Sequence, residues 1–169
     1  MTNGPSGIFR LRLDLSDMDF ACARILVYKD DCARMHGHNF QVAVELEGEV
    51  NADSFVVDLS ELEPMLRELC AALNNRLLVP AGNPHLRIER SDTNLIVQFK
   101  ERTYSLPGQD VLLLDLPNCS VEMLAYYVCG QLQHRLAAAG YTNLASIAVE
   151  VAERPGQSGL YRKTLTPSH

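Results

Sequence analysis

The stretch Cys32-Ala-Arg-Met-His-Gly-His-Asn-Phe40 places a thiol four residues ahead of two imidazoles separated by one glycine. Side chains two apart share a face of a β-strand, so His36 and His38 could grip one metal ion together. Taken alone, an H-x-H pair also fits ordinary surface histidines at a strand start. Glu153 is the second candidate. It continues the parity of Ile147, Val149 and Val151, and a carboxylate on the inward face of an apolar strand is costly unless something meets its charge. A bound ligand would do so; a strand end turned to solvent would avoid the cost. Cys32 is either an inert packed thiol or, beside basic groups that lower its pKa, a reactive one.

The rest of the chain narrows what such residues could serve. With 169 residues, 47% of them hydrophobic, the simplest organisation is one domain, 1–169, with a real core and a loose start at 1–7. The net charge of −6 argues against nucleic acid or an acidic membrane surface as the main partner, leaving a small molecule or another protein. No apolar run is long enough to span a bilayer, and "MTNGPSG" lacks the plan of a signal peptide. The five cysteines, at 22, 32, 70, 119 and 129, have no C-x-x-C spacing. That fits a reducing compartment, so the chain is expected to be cytoplasmic.

Periodicity supplies the elements that must position these groups. Phe9, Leu11, Leu13 and Leu15 alternate with polar residues, and "DFACARILV" sets Phe20, Cys22, Arg24 and Leu26 on one face. His38, Phe40, Val42, Val44 and Leu46 share one side of a further strand, opposite Gln41, Glu45 and Glu47, which predicts an antiparallel sheet with one side solvated. From Leu59 the spacing becomes helical through Leu62, Leu66, Leu69 and Leu73, with Ser60 and Glu63 resembling a capping box. A second helix runs from Val121 to about Leu136, capped by Asn118 or Ser120 and stopped at Gly140. The end returns to alternation, with "GLYRKTL" pairing back. Between the helices, "HLRIER", "NLIVQF" and "VLLLDL" read as strands separated by turn residues. The expected fold is α+β: an antiparallel four-stranded sheet with two helices on one face and a strand-rich insertion at about 84–116.

In their order along the chain, these segments resemble the 6-pyruvoyltetrahydropterin synthase and 6-carboxytetrahydropterin synthase family, which has the tunnelling fold. "CARMHGHNF" looks like its C-x-x-x-H-G-H block and "FVVDLSEL" like the approach to its first helix. "CSVEMLA" is similar to its P-T-x-E-x-L-A helix start, and "VEVAERPGQSGLY" to its closing V-x-V-x-E-T-x-x-x-x-x-Y. The resemblance implies chemistry on the side chain of 7,8-dihydroneopterin or its triphosphate, in sites between subunits of a homo-oligomer. It implies zinc held by three histidines as a Lewis acid, two of them matched by His36 and His38. Cys32 matches the catalytic cysteine, Glu153 the pterin anchor, and Arg24, Asn75 and Ser120 fall at substrate-lining positions.

The chain also departs from that pattern. Arg24 stands where the family has its first metal histidine, and an arginine offers no lone pair to zinc. Completing a ligand set would require Cys22, His85 or Cys32; alternatively, Arg24 supplies fixed positive charge in the metal's place, or it pairs with a nearby acid. Asn74-Asn75 replaces the family's Asp-His pair, and an amide cannot shuttle a proton. The insertion reads as a lid, extra sheet strands or an oligomer contact, its apolar runs favouring packing, and His85 at its start is a candidate replacement imidazole. Two other functions stay open: cleavage of the side chain in the manner of a dihydroneopterin aldolase, and non-catalytic binding of a pterin or purine.

Overall fold

The computed structural model describes residues 6–29 and 31–165; most of the expected loose start, residues 1–5, lies outside the described residues. Strand β1 (Phe9–Leu13) is followed by β2 (Asp19–Arg24), a two-residue pair β3 (Val27–Tyr28) and β4 (Asp31–Cys32), and the long β5 (His36–Gly48). Helix α1 spans Leu59–Leu73 and leads into β6 (Arg76–Pro80). The insertion forms β7 (Arg87–Arg90), β8 (Asn94–Phe99), β9 (Arg102–Pro107) and β10 (Val111–Leu114). Helix α2 (Val121–Ala138) and the hairpin β11 (Leu144–Arg154) and β12 (Gln157–Thr164) complete the described chain.

The α+β class holds, but the sheet is larger than expected and not wholly antiparallel. It has seven strands in the order β10-β6-β2-β5-β11-β12, with β1 also on β5. The pairs β10–β6 and β2–β6 are parallel. Strand β6 hides from a reading of alternation because four of its five residues, Leu77 to Pro80, are buried, so it carries no polar face. Helices α1 and α2 cover one side through Leu62, Leu66, Leu73, Leu124, Leu132 and Leu136, packed on Phe40, Val42, Val44 and Leu46 of β5. The other side is solvated, as its Glu45 and Glu47 predict, and Arg10 and Arg162 pair with them there.

The helix ends follow local chemistry. Asp58, not Ser60, caps α1: its carboxylate accepts from the Ser60 N–H at 2.8 Å, and a hydrogen bond from the Ser60 hydroxyl holds its pKa below the usual range. Ser120 caps α2, accepting from the Met123 N–H at 3.4 Å. At Gly159 a Cβ would lie 2.7 Å from the Glu122 nitrogen, so β12 can cross the start of α2 only where the side chain is absent.

The insertion is packed structure. Strands β7, β8 and β9 form a three-stranded sheet whose Leu95, Val97 and Phe99 build a second core with Ile25, Val27, Leu77, Val79 and Cys32. Its strand β9 escapes the sequence reading, where only "HLRIER", "NLIVQF" and "VLLLDL" stand out. Arg102, at the start of β9, donates to the Cys32 carbonyl at 2.6 Å and meets Asp31 at 3.3 Å.

Candidate active site

Four of the expected residues converge. In the β2–β5 register Arg24 lies across from His36, and Cys22 across from His38. The alternation of β5 turns His38 the same way as Phe40, and the two rings meet edge to face at 5.8 Å. Glu153 arrives from β11 at a register irregularity between Ala152 and Arg154, where β12 pairs without matching it. A bulge of this kind leaves one residue free of the ladder and re-aims its side chain. It delivers the carboxylate to β5 and, beyond it, β2: Glu153 Oε2 accepts from Arg24 Nη2 at 2.7 Å, and Oε1 lies 2.8 Å from His38 Nε2.

Arg24 is the organising group. It is 5% exposed, donates from Nη1 to the Cys119 carbonyl at 2.9 Å and stacks its guanidinium 5.1 Å from the centre of the Phe40 ring. An ion pair, a carbonyl and an aromatic face thus hold a charge that burial alone would make costly. Its Nε–H is buried without a partner among the described residues. His38 Nε2 is likewise buried without a directed hydrogen bond, although it lies 2.8 Å from Glu153 Oε1. His36 is exposed, and its Nδ1 lies 2.6 Å from the Arg34 carbonyl. That contact places a proton on Nδ1, so in the neutral ring Nε2 is the acceptor.

The remaining expected residues make none of these contacts. Cys32 is 2% exposed in the second core, and burial, only partly opposed by Arg102, raises its thiol pKa. This corrects the expectation that basic neighbours would lower it. The cause is the insertion, which covers the thiol with apolar side chains. Asn75 takes a left-handed backbone, φ 54°, and donates its N–H to the Ala21 carbonyl at 2.7 Å, while Asn74 Oδ1 accepts from the Ala21 N–H at 2.8 Å. The Asn74 side chain and the Asn75 backbone therefore dock the end of α1 onto β2. Asn75 also lines a pocket of about 250 Å³ with His38, Gly37, Asn39 and Arg76. The Ser120 hydroxyl is engaged as the α2 cap. His85 is exposed in the turn before β7, so it does not restore an imidazole to the cluster. Asn118, read from sequence only as an alternative cap, clasps the lead into α2 to β3: it accepts from the Val27 N–H at 3.1 Å and donates to the Val27 carbonyl at 2.7 Å.

The donor set can be tested against zinc. Among the described residues, His36, His38 and Glu153 place three ligating atoms within 4.8 Å of one another, so the third member is Glu153 and not Cys22, Cys32 or His85. Yet the carboxylate is already shared with a buried, permanently charged guanidinium. Of the two orphaned buried atoms, His38 Nε2 is one that a metal ion could take, whereas the Arg24 Nε–H is one that it cannot. The residues present do not fit the family's three-histidine zinc.

The 6-pyruvoyl tetrahydropterin synthase family profile matches residues 16–164, and the chain belongs to that family. It is 34% identical over 147 residues to a Methanocaldococcus jannaschii protein bearing the name 6-carboxy-5,6,7,8-tetrahydropterin synthase, covering 86% of this chain and 90% of that one. A Pyrococcus abyssi protein of the same name is 30% identical over 142 residues, 84% of this chain and 83% of its own length. The structure of 6-pyruvoyltetrahydropterin synthase from Plasmodium vivax superposes with a TM-score of 0.89 at 24% identity, covering 95% of this chain and 100% of that one. This last likeness concerns the fold. No described helix is long and apolar enough to cross a membrane.

Proposed function

We propose that the protein is an enzyme of pterin metabolism that binds 7,8-dihydroneopterin or its triphosphate and acts on the side chain, in sites completed between subunits of a homo-oligomer. The observation that carries this reading is the Glu153 carboxylate, re-aimed by a bulge and held beside His38 by Arg24. A carboxylate has about four lone-pair sites, so its two contacts leave acceptors for the paired N–H donors of an amino-pyrimidine edge. Arg24 fixes the direction of that carboxylate through its 2.7 Å hydrogen bond. His36 presents an acceptor nitrogen toward solvent, suited to a substrate hydroxyl or its proton. Cys32 stays the acid–base candidate, now as a protonated thiol that can give a proton but not take one near neutral pH.

Incubation with 7,8-dihydroneopterin triphosphate and with 7,8-dihydroneopterin under reducing conditions, followed by product chromatography, tests the reading and separates synthase chemistry from aldolase-like cleavage. Glu153→Gln should weaken pterin binding about 100-fold, ~2.7 kcal/mol, in a fluorescence titration with folding checked by thermal melting. Unchanged affinity would show that Glu153 is not the anchor. A second reading is favoured by one observation: two amides, Asn74 and Asn75, stand at the end of α1, and the Asn74 side chain is spent on the Ala21 backbone, leaving no relay. It is a pterin binder without turnover, and Glu153-dependent binding with no product would select it.

A further inference from the structure

We infer that the Arg24 guanidinium is the resident cation of this site, taking the place of a metal ion, so that the pocket carries its positive charge without zinc. The inference rests on the geometry of the cluster and does not depend on which substrate is bound.

Three features support it. Arg24 stands cross-strand from His36, on the strand face from which a third imidazole would have to approach the pair. It is immobilised by Glu153, by the Cys119 carbonyl and by Phe40, so its charge is preorganised as a bound ion's would be. It also claims Glu153, the only described carboxylate grouped with the two histidines. A dication would have to share that one negative charge with a cation that cannot deprotonate. The guanidinium differs from zinc in what it supplies: directional N–H donors and a single positive charge, with no open coordination position.

The test needs no knowledge of the substrate. Full-length wild-type protein, purified without chelator and dialysed, is analysed for metal content and titrated with zinc while the melting temperature is followed. The expected result is well under one zinc per chain and no melting shift that His38→Ala removes. Arg24→His, which restores a third imidazole, should gain about one zinc per chain and a zinc-dependent rise in melting temperature that His38→Ala abolishes. Wild-type protein that retains one zinc per chain, and loses it in both His38→Ala and Glu153→Gln, would overturn the inference. Folded Arg24→His that takes up no zinc would overturn it as well. If Arg24→His does not fold, the wild-type titration alone decides.

Discussion

Arg24 and Glu153 show how one substitution reorganises its neighbours. With an imidazole at position 24, Glu153 would have no fixed cation beside it; with arginine, the carboxylate is drawn into a pair at 2.7 Å. The pair is mostly buried, the side chains being 4% and 20% exposed, and removing either partner leaves the other inadequately solvated. We expect Arg24→Met to lower stability by about 3 kcal/mol. Combined with Glu153→Gln, the loss should fall short of the sum of the single losses by ~1–3 kcal/mol. Urea denaturation of the two single variants and the double variant measures this coupling; additive losses would mean that the pair contributes nothing of its own. The parity of both residues is legible in sequence, and pairing with a nearby acid is one of the readings left open for Arg24. Their contact is not legible, because they are separated by 129 positions and meet only when β2, β5 and β11 lie side by side.

At the scale of elements, the site depends on the bulge in β11 and on the crossing of β12 over α2. Gly159 is central to the second. A methyl group there would stand 2.7 Å from the Glu122 nitrogen and 2.9 Å from the Val121 carbonyl carbon, neither of which can swing aside as a side chain does. Gly159→Ala should therefore cost about 1–3 kcal/mol, as overpacking does, seen as a lower urea midpoint. Because α2 begins directly after the Cys119 carbonyl that Arg24 holds, the same variant should also weaken pterin binding. A variant as stable as the wild type would show that the strand and helix separate freely. The insertion belongs to this scale too. Its apolar runs announce packing, but sequence does not say onto what; the structure shows that it covers Cys32, and this converts an expected reactive thiol into a core residue.

For the molecule as a whole, the five buried cysteines make stability depend on pH at the alkaline end. Burial pushes the Cys22 and Cys119 thiols up to about 12 and those of Cys70 and Cys129 up to about 11, from an ordinary 9.0. The folded chain therefore holds these protons more tightly than the unfolded one. Their contribution is complete below the unfolded value near 9 and is lost as pH rises from there through 11 to 12. The urea midpoint should stay level from about pH 7 to ~8.5 and fall steeply above that, with Cys119→Ala falling less steeply. A midpoint independent of pH up to about 11 would show that the thiols ionise equally in both states.

The sequence by itself determined what local periodicity can encode: the span of α1, a cap for α2 at Asn118 or Ser120, the inward face of β5 from His38 to Leu46, and the inward parity of Arg24 and Glu153. Each depends on neighbours a few residues away, so each is written in the order of side chains. Only the tertiary structure decided that β6 and β10 run parallel in a seven-stranded sheet, that the insertion buries Cys32, and that Arg24 answers Glu153 where a third histidine would have answered a metal. Those outcomes come from strands brought together from distant parts of the chain, and from the need of a buried charge to find its opposite there.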